Sequence, residues 1–323
     1  MVSLNFPMRK PSNGSPESRS SLKNAKGDNF LPAGTILDQY IIERPLAGGG
    51  FSSVYVARQL DDQMQVAIKE YLPRRLAYRN LNNEVVPNDD EARWNFMRGR
   101  ALFLEEAKVL TRLKHKNIVE VLNFFRANAT VYLVMTFEYG KILGEYLLKE
   151  KKGGVSENFF MAVFPDLLEG VSLVHDSGLL HLDIKPHNIL IRSGGDPLLL
   201  DFGACQPYPY SERSRVGKVL SNGFSPIEQY ETHGVLGPWS DIYAIGATMR
   251  MCLDGYFPPT ASERAEKDLM APAAKAFKRR YPQSLLEAID WAMAVNPRNR
   301  PQSIAEFTSA FSMEHFDTSS TVF

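Results

Sequence analysis

Three polar side chains of different chemistry lie within six residues of one another in the stretch HLDIKPHNIL, residues 181–190. They are the carboxylate of Asp183, the amine of Lys185 and the carboxamide of Asn188. Apolar residues precede and follow them, and burying polar groups without partners is unfavourable. The cluster therefore predicts a chemical site, in which a carboxylate can accept a hydroxyl proton and an amine can neutralise negative charge on a transferring phosphoryl group.

A second carboxylate follows another apolar strand. In LLLDFGACQ, Asp201 comes directly after the leucine run and before Phe202 and Gly203. A carboxylate at the end of a buried strand is well placed to hold a hard cation such as Mg²⁺, and Asn188 can supply a neutral oxygen to the same ion. Asp183 would then remain to accept the hydroxyl proton.

A glycine cluster in LAGGGFSSVYVA, residues 46–57, indicates a phosphate site. Glycine lets backbone N–H groups approach phosphate oxygens where a side chain would clash. The residues that follow continue as a strand and not as a helix, and Gly-Lys-Ser/Thr is absent, so neither a Rossmann nor a Walker A loop fits. A glycine-rich hairpin over a nucleotide and a merely flexible hairpin tip both remain open at this point.

Lys69 ends the apolar strand VAIKE, where an amine needs a negative partner or access to water. The candidates are Glu105 and Glu106 on the next predicted helix. Glu106 is favoured because it shares a helical face with four apolar residues, whereas Glu105 shares a face with charged residues. The four are Leu102, Phe103, Leu110 and Leu113.

Hydrophobic periodicity predicts the elements that position these residues. The first third of the chain is rich in strands, at 36–44, 52–59 and 65–72, and has a hairpin over 118–137 with Asn128 and Ala129 at its turn. The stretch from Tyr71 to about Glu91 is predicted to be irregular. Helices are predicted over 92–113, 158–178, 239–252, 285–295 and 303–311, with short strands at 188–192 and 197–202. The pattern predicts two lobes with a cleft between them.

Composition excludes several classes of protein. The formal net charge of the 323 residues is zero, so there is no global attraction to nucleic acid or anionic membranes. No apolar run is long enough to span a bilayer, and the N-terminus has no continuous apolar signal-peptide core. Two cysteines, Cys205 and Cys252, are too few for a disulfide framework and fit a reducing cytoplasm.

The ordered motifs GGGFSSVYVA, VAIK, a helical Glu, HLDIKPHN, DFG and SPIE resemble the eukaryotic-type (Hanks-type) protein kinases over residues 35–312. The resemblance implies an α+β, bilobal protein-kinase-like fold with a β-rich N-lobe and a mainly helical C-lobe. It implies Asp183, Lys185, Lys69 and Glu106 as catalytic residues, and Asn188 and Asp201 as metal ligands. It also implies that Asp241, in SDIYAIG, holds the catalytic loop by its backbone. The implied nucleotide-binding residues are Leu46, Ala47, Gly48, Gly49, Gly50, Phe51, Ser52, Val54, Ala67, Lys69, Met135 as gatekeeper, Thr136 to Glu138 as hinge, and Leu190.

The same resemblance implies a cytoplasmic serine/threonine kinase of bacterial character. Lys185 is similar to the serine/threonine pattern, and the glycine loop and FSPIEQY have a bacterial appearance. The expected cofactors are ATP and Mg²⁺, with Mn²⁺ as the alternative metal, and the expected partner is a protein with a Ser/Thr acceptor, autophosphorylation included. The expected segments are a disordered tail (1–33), an N-lobe (34–139) with an insert (about 71–98), a C-lobe (140–312) and a C-terminal tail (313–323).

Three departures from the family pattern stand out. Leu182 replaces the commoner arginine, which predicts a non-RD kinase whose activity does not depend on phosphate at the activation-loop serines Ser211, Ser214 and Ser221. The alternative is that Leu182 only packs and that Arg213, Arg215 or Lys218 binds a loop phosphate. SPIE displaces Glu228 by one residue, so its pairing with Arg300 is less secure. The insert after Lys69 is a regulatory or partner-binding segment, or a tolerated surface loop.

Three other readings remain open. One is a pseudokinase that binds nucleotide or a partner without catalysis, although Lys69, Asp183, Asn188 and Asp201 are all present. Another is a small-molecule kinase of the same fold, against which stand Lys185 and the long segment between DFG and SPIE. A third is that the chain is part of a longer receptor. The sequence does not indicate the oligomeric state.

Overall fold

The computed structural model describes residues 30–150, 153–209 and 219–312. The N-terminal residues 1–29, the segment 210–218 and the C-terminal residues 313–323 lie outside this description, so most of the two predicted tails is not tested. The chain divides into two compact units. The first contains residues up to Ala101 together with Phe124–Val134, and the second contains Leu102–Asn123 and the residues from Met135 onward.

The first unit is built on a six-stranded sheet in the order β1-β2-β3-β4-β8-β7. Its strands are β1 (Ile36–Leu37), β2 (Tyr40–Gly48), β3 (Ser52–Gln59), β4 (Gln65–Tyr71), β7 (Val121–Ala127) and β8 (Thr130–Thr136). Side chains on one face of this sheet form the core, among them Tyr40, Ile42, Tyr55, Ile68 and Val134. The predicted hairpin between β7 and β8 is confirmed, since Asn128 and Ala129 have φ of 47° and 58°, as its two-residue turn requires.

The stretch after β4 was predicted to be irregular, and this prediction is wrong. It forms the short hairpin of β5 (Ala77–Arg79) and β6 (Val85–Pro87). The hairpin is part of the core of the first unit, because Ala77 and Val85 are buried and the backbone N–H of Val85 donates to the Asn128 carbonyl at 2.8 Å. The polar composition of the segment concealed two strands that are each too short to show an alternating pattern.

A buried ion pair fastens this hairpin to β4. The guanidinium of Arg79 binds the carboxylate of Glu70, which is adjacent to Lys69 in the chain. Tyr55 and Tyr132 each donate a hydroxyl hydrogen to the same carboxylate, at 2.8 and 2.7 Å. Burial is the largest single influence and lowers the pKa of the Arg79 guanidinium, but the charge and hydrogen bond of Glu70, with the nearby Tyr55 and Tyr132, together outweigh it, so the pKa is raised. The segment is therefore an integral layer of the first unit and not a loop added to its surface.

Helix α1 (Asp90–Leu110) follows the hairpin and begins with Asp90 and Glu91, acids that suit the positive end of a helix. Glu105 is solvated and accepts from Lys108 at 2.7 Å, as predicted. Of the face predicted to point inward, Leu110 and Leu113 are buried, but Leu102 is 37% exposed. The backbone of Glu106 lies in α1, and its side chain lies outside the described atoms.

The second unit is mainly helical. Its longer helices are α2 (Leu143–Glu150), α3 (Glu157–Asp176), α5 (Pro238–Asp254), α8 (Gln283–Ala292) and α9 (Ile304–Ser312). Shorter helices are α4 (Ile227–Tyr230), α6 (Ala261–Glu266) and α7 (Ala273–Ala276). Most of α5 is buried, which makes it the central support of this unit. Among the described residues, no helix is both long and apolar enough to cross a membrane.

Five short strands in the second unit position the motif residues. One three-stranded sheet has the order β12-β11-β9, formed by β9 (Lys141–Ile142), β11 (Ile189–Ile191) and β12 (Pro197–Leu199). The others, β10 (Leu179–Leu180) and β13 (Gln206–Pro207), pair with each other. The loop 181–188 thus leaves β10 and enters β11, and Asp201 comes two residues after β12 ends.

Candidate active site

Asp241, near the start of the buried helix α5, holds the loop 181–188 by its backbone. Its carboxylate accepts the N–H of His181 at 2.8 Å and the N–H of Leu182 at 2.7 Å. Burial alone would raise the pKa of Asp241, but the hydrogen bond and charge of His175, 2.8 Å away, together with those of His181, outweigh it and leave the pKa lowered. Asp241 is therefore an ionised, fully buried anchor, as the resemblance implied.

The three polar residues of this loop meet at the Asp183 carboxylate, as their spacing predicted. Lys185 Nζ lies 2.9 and 2.8 Å from the two carboxylate oxygens. Asn188 Nδ2 donates to the backbone carbonyl of Asp183 at 2.8 Å and to its Oδ2 at 3.0 Å. The Asp183 side chain is only 7% exposed, and its hydrogen-bond partners fix its orientation.

A fourth member of this cluster, Ser221, was not among the predicted site residues. Its Oγ donates to Asp183 Oδ1 at 2.6 Å and accepts from Lys185 Nζ at 2.8 Å. The turn that follows Ser221 supports it, because Ser225 Oγ accepts the Ser221 N–H at 2.9 Å. Nothing in the sequence brings a serine 38 residues downstream to this carboxylate; only the tertiary fold does.

The arrangement of Asn188 and Asp201 fits a hard cation. The backbone carbonyl of Asn188 accepts the N–H of Leu200 at 2.8 Å, which ties the residue preceding Asp201 to the loop. Because Asn188 donates its amide hydrogens to Asp183, its side-chain oxygen remains to accept or to coordinate. Asp201 has an exposed carboxylate with φ of 48°. Within the described ranges, no three His, Cys, Asp or Glu residues are grouped so that they could hold a metal ion. That Asn188 and Asp201 bind a metal through their side-chain oxygens stays a prediction.

His181 is packed and neutral. Its ring lies 4.6 Å from that of Phe202, and its Nδ1 accepts the N–H of Asp183 at 3.3 Å. Complete burial lowers the pKa of the imidazole, against the opposing charges of Asp241 and Asp183. His181 therefore supports the loop and does not act as an acid or base.

Leu182 is buried at 4% exposure and has φ of 61°, an uncommon conformation for a leucine. Its carbonyl accepts from Gln229 Nε2 at 2.9 Å, and its N–H is held by Asp241. These two contacts account for the strained backbone. The residues proposed as alternative phosphate binders, Arg213, Arg215 and Lys218, lie outside the described residues.

Glu228 pairs with Arg300 despite its displacement in the SPIE motif. The guanidinium donates to the two carboxylate oxygens at 2.7 and 3.2 Å, and both side chains are almost completely buried. Ser240 donates a further hydrogen bond to Glu228 at 2.8 Å. This pairing is confirmed, and it fixes the segment that follows the turn of Ser221.

The first unit carries the predicted phosphate-binding residues. Gly48, Gly49, Gly50 and Phe51 are exposed, and the N–H of Gly49 donates to the Ser52 carbonyl at 2.9 Å, closing the turn between β2 and β3. Lys69 is 6% exposed and pairs across the sheet with Val54. Ala67 is buried on the same strand, and Leu46 is 46% exposed.

The remaining predicted nucleotide-binding residues belong to the second unit. Met135, Thr136 and Glu138 are half-buried, and the N–H of Thr136 donates to the Glu120 carbonyl at 3.0 Å. Glu138 lies 3.6 Å from the Arg192 guanidinium, and Leu190, in the middle of β11, is buried. Whether these residues contact nucleotide stays a prediction.

The sequence of this chain matches a known protein family over most of its length. A protein kinase domain model matches residues 40–314. The chain belongs to the protein kinase domain family. The predicted kinase fold is thereby confirmed, with a strand-rich unit and a helical unit in the expected order.

Two curated relatives of this kinase domain are bacterial. The chain is 28% identical over 291 residues to serine/threonine-protein kinase PrkC of Bacillus subtilis (strain 168), covering 87% of the chain and 42% of that protein. It is 27% identical over 277 residues to serine/threonine-protein kinase PknL of Mycobacterium tuberculosis (strain ATCC 25618 / H37Rv), covering 84% of the chain and 64% of PknL. The chain thus spans less than two thirds of either relative.

Solved structures are similar over the same region. The structure titled "PpkA-294 apo form" matches with a TM-score of 0.77 and 32% identity, covering 88% of this chain and all of that one. The Mycobacterium tuberculosis PknI kinase domain matches with a TM-score of 0.64 at 21% identity, covering 88% of this chain and 99% of that one. The second likeness concerns the fold alone.

Proposed function

We propose that this chain is an active serine/threonine protein kinase that transfers the γ-phosphoryl group of ATP to Ser or Thr hydroxyls of proteins. The observation that carries the proposal is the cluster around Asp183, in which Lys185, Asn188 and Ser221 all bind one nearly buried carboxylate. A carboxylate oriented in this way accepts the proton of a substrate hydroxyl, while that oxygen bonds to the γ-phosphorus and ADP leaves.

The remaining roles follow from the chemistry of each group. Lys185 is placed to neutralise charge on the transferring phosphoryl group, because it lies beside the carboxylate that receives the proton. Asn188 and Asp201 would hold Mg²⁺, or Mn²⁺ in its place, and the ion when bound neutralises phosphate charge. We assign the phosphates of ATP to Lys69 and the glycine loop, and the adenine to the hinge from Met135 to Glu138. Glu106 is kept as the proposed partner of Lys69.

Broader features of the proposal rest on the sequence and the relatives. We propose a cytoplasmic protein that acts on protein substrates, itself among them. Cys205 and Cys252 are not joined in a disulfide, and burial raises the pKa of the Cys252 thiol, which makes it unreactive.

The proposed lobes remain residues 34–139 and 140–312. Leu182, which cannot bind a phosphate, supports the proposal of a non-RD kinase.

Phosphate transfer from labelled Mg-ATP tests this function. Wild type, Asp183→Asn and the control Asp176→Asn, an exposed acid outside the cluster, are assayed alone and with a generic basic protein. We expect label on Ser or Thr with wild type and the control, and none with Asp183→Asn. Nucleotide binding without transfer by wild type would instead support a pseudokinase, and transfer only to small metabolites would support a small-molecule kinase.

A further inference from the structure

A group of large apolar side chains lies exposed in the second unit and has no role in the proton-transfer cluster. Leu220 is 40% exposed, Phe257 is 52% exposed, and Tyr256 beside it is 76% exposed. Exposed apolar residues are ordinary when scattered singly, but a contiguous group beside a functional site indicates a binding surface. The ring contacts of Phe257, and the bond of Ser221, the chain neighbour of Leu220, to Asp183, place these residues near the proton-transfer cluster.

One side of this surface is connected to Asp183 through Ser221. The carbonyl of Ser221 accepts the N–H of Phe224 at 2.9 Å, so the hydroxyl that binds Asp183 and the Phe224 ring belong to one turn. The Phe224 ring is buried and meets the Phe257 ring edge-on, with centroids 5.8 Å apart. Gly223 has φ of 83° and lies so close to Pro258 that an added Cβ would be 2.5 Å from its carbonyl oxygen. The turn is therefore packed tightly against the segment that carries Phe257.

The other side is connected through His187, which lies between Lys185 and Asn188 in the loop 181–188. The His187 ring faces Phe257 with centroids 6.2 Å apart and planes 22° apart. On its other side it packs on the backbone of Gly144 in α2, where an added Cβ would be 3.0 Å from the ring. We call His187 and Phe257, with the buried Phe224 ring that contacts Phe257, the aromatic shelf.

The charges around the aromatic shelf do not favour a basic ligand. Glu145, which interacts with His187, is already paired with Lys149 at 2.8 Å. Asp254 accepts the N–H of Tyr256 at 2.9 Å and lies 3.8 Å from the Arg250 guanidinium. The acids that interact with this surface therefore already have positively charged partners.

We propose that the aromatic shelf binds the residues flanking the acceptor hydroxyl of the protein substrate, and that it selects an aromatic or large aliphatic side chain over arginine or lysine. This inference rests on the proposed kinase function. The substrate chain is the occupant because a Ser or Thr hydroxyl that reaches Asp183 brings its neighbours in sequence to the residues around Asp183. Successive residues of an extended chain are only about 3.3–3.6 Å apart, so a flanking side chain reaches the shelf within a few residues.

A positional scan of peptides tests the inference. Each peptide has one fixed serine, and each flanking position is varied in turn through aliphatic, aromatic, basic and acidic residues. We expect wild type to prefer Phe, Leu or Ile at one or more flanking positions by about tenfold in kcat/KM, which is the typical discrimination of an apolar pocket. Phe257→Ala should reduce this preference, and Phe257→Glu should shift it toward Arg or Lys at the same position. Leu269→Glu, which charges an exposed leucine elsewhere in the second unit, should leave the scan as in wild type.

The possible failures are distinguishable. Autophosphorylation is measured in every reaction, so a wild-type protein that labels neither peptides nor itself contradicts the proposed kinase function. A wild type that transfers phosphate but prefers basic flanking residues contradicts only the aromatic shelf. The same conclusion follows if both Phe257 variants transfer phosphate with unchanged selectivity, or if wild type labels itself and none of the apolar peptides.

Discussion

Ser221 donates a hydrogen bond of 2.6 Å to the carboxylate of Asp183, and its oxygen accepts another of 2.8 Å from Lys185. The hydroxyl thus holds two proposed catalytic side chains at once. We predict that Ser221→Ala lowers kcat by about 10- to 100-fold, because a hydrogen bond to a charged group contributes about 1.5–3 kcal/mol. Ser221→Thr, which keeps the hydroxyl, should retain most of the activity. Steady-state kinetics with ATP and a peptide measure both variants.

A matched control separates this effect from general damage. Ser177→Ala removes a hydroxyl that only caps the end of α3, where it donates to the Leu173 carbonyl at 2.8 Å. It should leave kcat unchanged. Equal losses for Ser177→Ala and Ser221→Ala, or full activity of Ser221→Ala, would contradict the role given to Ser221.

The Ser221 contact also changes how the non-RD hypothesis is tested. Alanine at Ser221 disturbs Asp183 directly, so its effect says nothing about phosphorylation. Ser211 and Ser214, which lie outside the described residues, remain as candidate phosphate acceptors. Because Leu182 is apolar and buried, we predict that the double variant Ser211→Ala/Ser214→Ala keeps its activity toward an added peptide. Loss of activity, with the label in wild type mapped to either serine by mass spectrometry, would contradict the hypothesis.

Site residues that are close together in the sequence could be predicted from it, whereas partners far apart in the sequence could not. Asp183, Lys185 and Asn188 are close in sequence, so composition and spacing were enough to predict that they act together. Asp241, 59 and 60 residues from the two backbone N–H groups it holds, was identified only through the resemblance to a family. Ser221 was considered only as a phosphate acceptor, because a hydrogen bond across 38 residues is set by the packing of the whole unit.

The helices and strands likewise divide into long elements that the sequence predicted and short ones that it did not. Long periodic segments were predicted well, as with α3 and α5, because each buries a continuous apolar face. The β5–β6 hairpin was missed because its strands have three residues each and contain Arg79, a residue type that is rarely buried. Its burial depends on Glu70, which lies on another strand and was not recognisable as a partner from sequence.

The buried pair of Arg79 and Glu70 leads to a prediction about stability. Removing one member leaves the other charged and buried, so we predict that Arg79→Ala lowers the free energy of unfolding by about 3–5 kcal/mol. Arg93→Ala breaks an exposed ion pair with Asp90 in the same unit and should change it by less than about 1 kcal/mol. Urea unfolding of both variants measures the difference, and equal stabilities would contradict the role of the hairpin as part of the core.

Arg74, which follows β4, and Phe30 both contact the glycine loop between β2 and β3. The N–H of Arg74 donates to the Gly50 carbonyl at 2.9 Å, and its guanidinium lies over the Phe30 ring at 5.8 Å. Both side chains contact Gly48, where an added Cβ would be 2.7 Å from each. We predict that Phe30→Ala weakens binding of a non-hydrolysable ATP analogue with Mg²⁺ by about 2- to 10-fold, since a looser loop must be ordered on binding. Adenosine, which has no phosphates, should bind as before.

Calorimetric titration with both ligands checks this prediction. Leu60→Ala truncates an exposed leucine of the same unit and should affect neither affinity. Equal weakening of the analogue and adenosine by Phe30→Ala would mean that the variant damages the unit as a whole. Unchanged affinity for the analogue would show that the contact with Gly48 does not position the loop.

The buried imidazole of His181 predicts how stability depends on pH. Burial lowers its pKa below the ordinary value of 6.5, against the opposing charges of Asp241 and Asp183. Below pH 6.5 the unfolded chain therefore takes up a proton that the folded chain does not, and the free energy of unfolding falls by up to about 1.4 kcal/mol per pH unit. This contribution is complete above the unfolded pKa and is lost as the pH falls toward the folded pKa. Urea unfolding between about pH 5 and 7.5 measures this loss of stability. It should occur in wild type and in the control His233→Gln, which replaces an exposed histidine, but not in His181→Phe. If His181→Phe kept the wild-type slope, His181 would not be the buried neutral group.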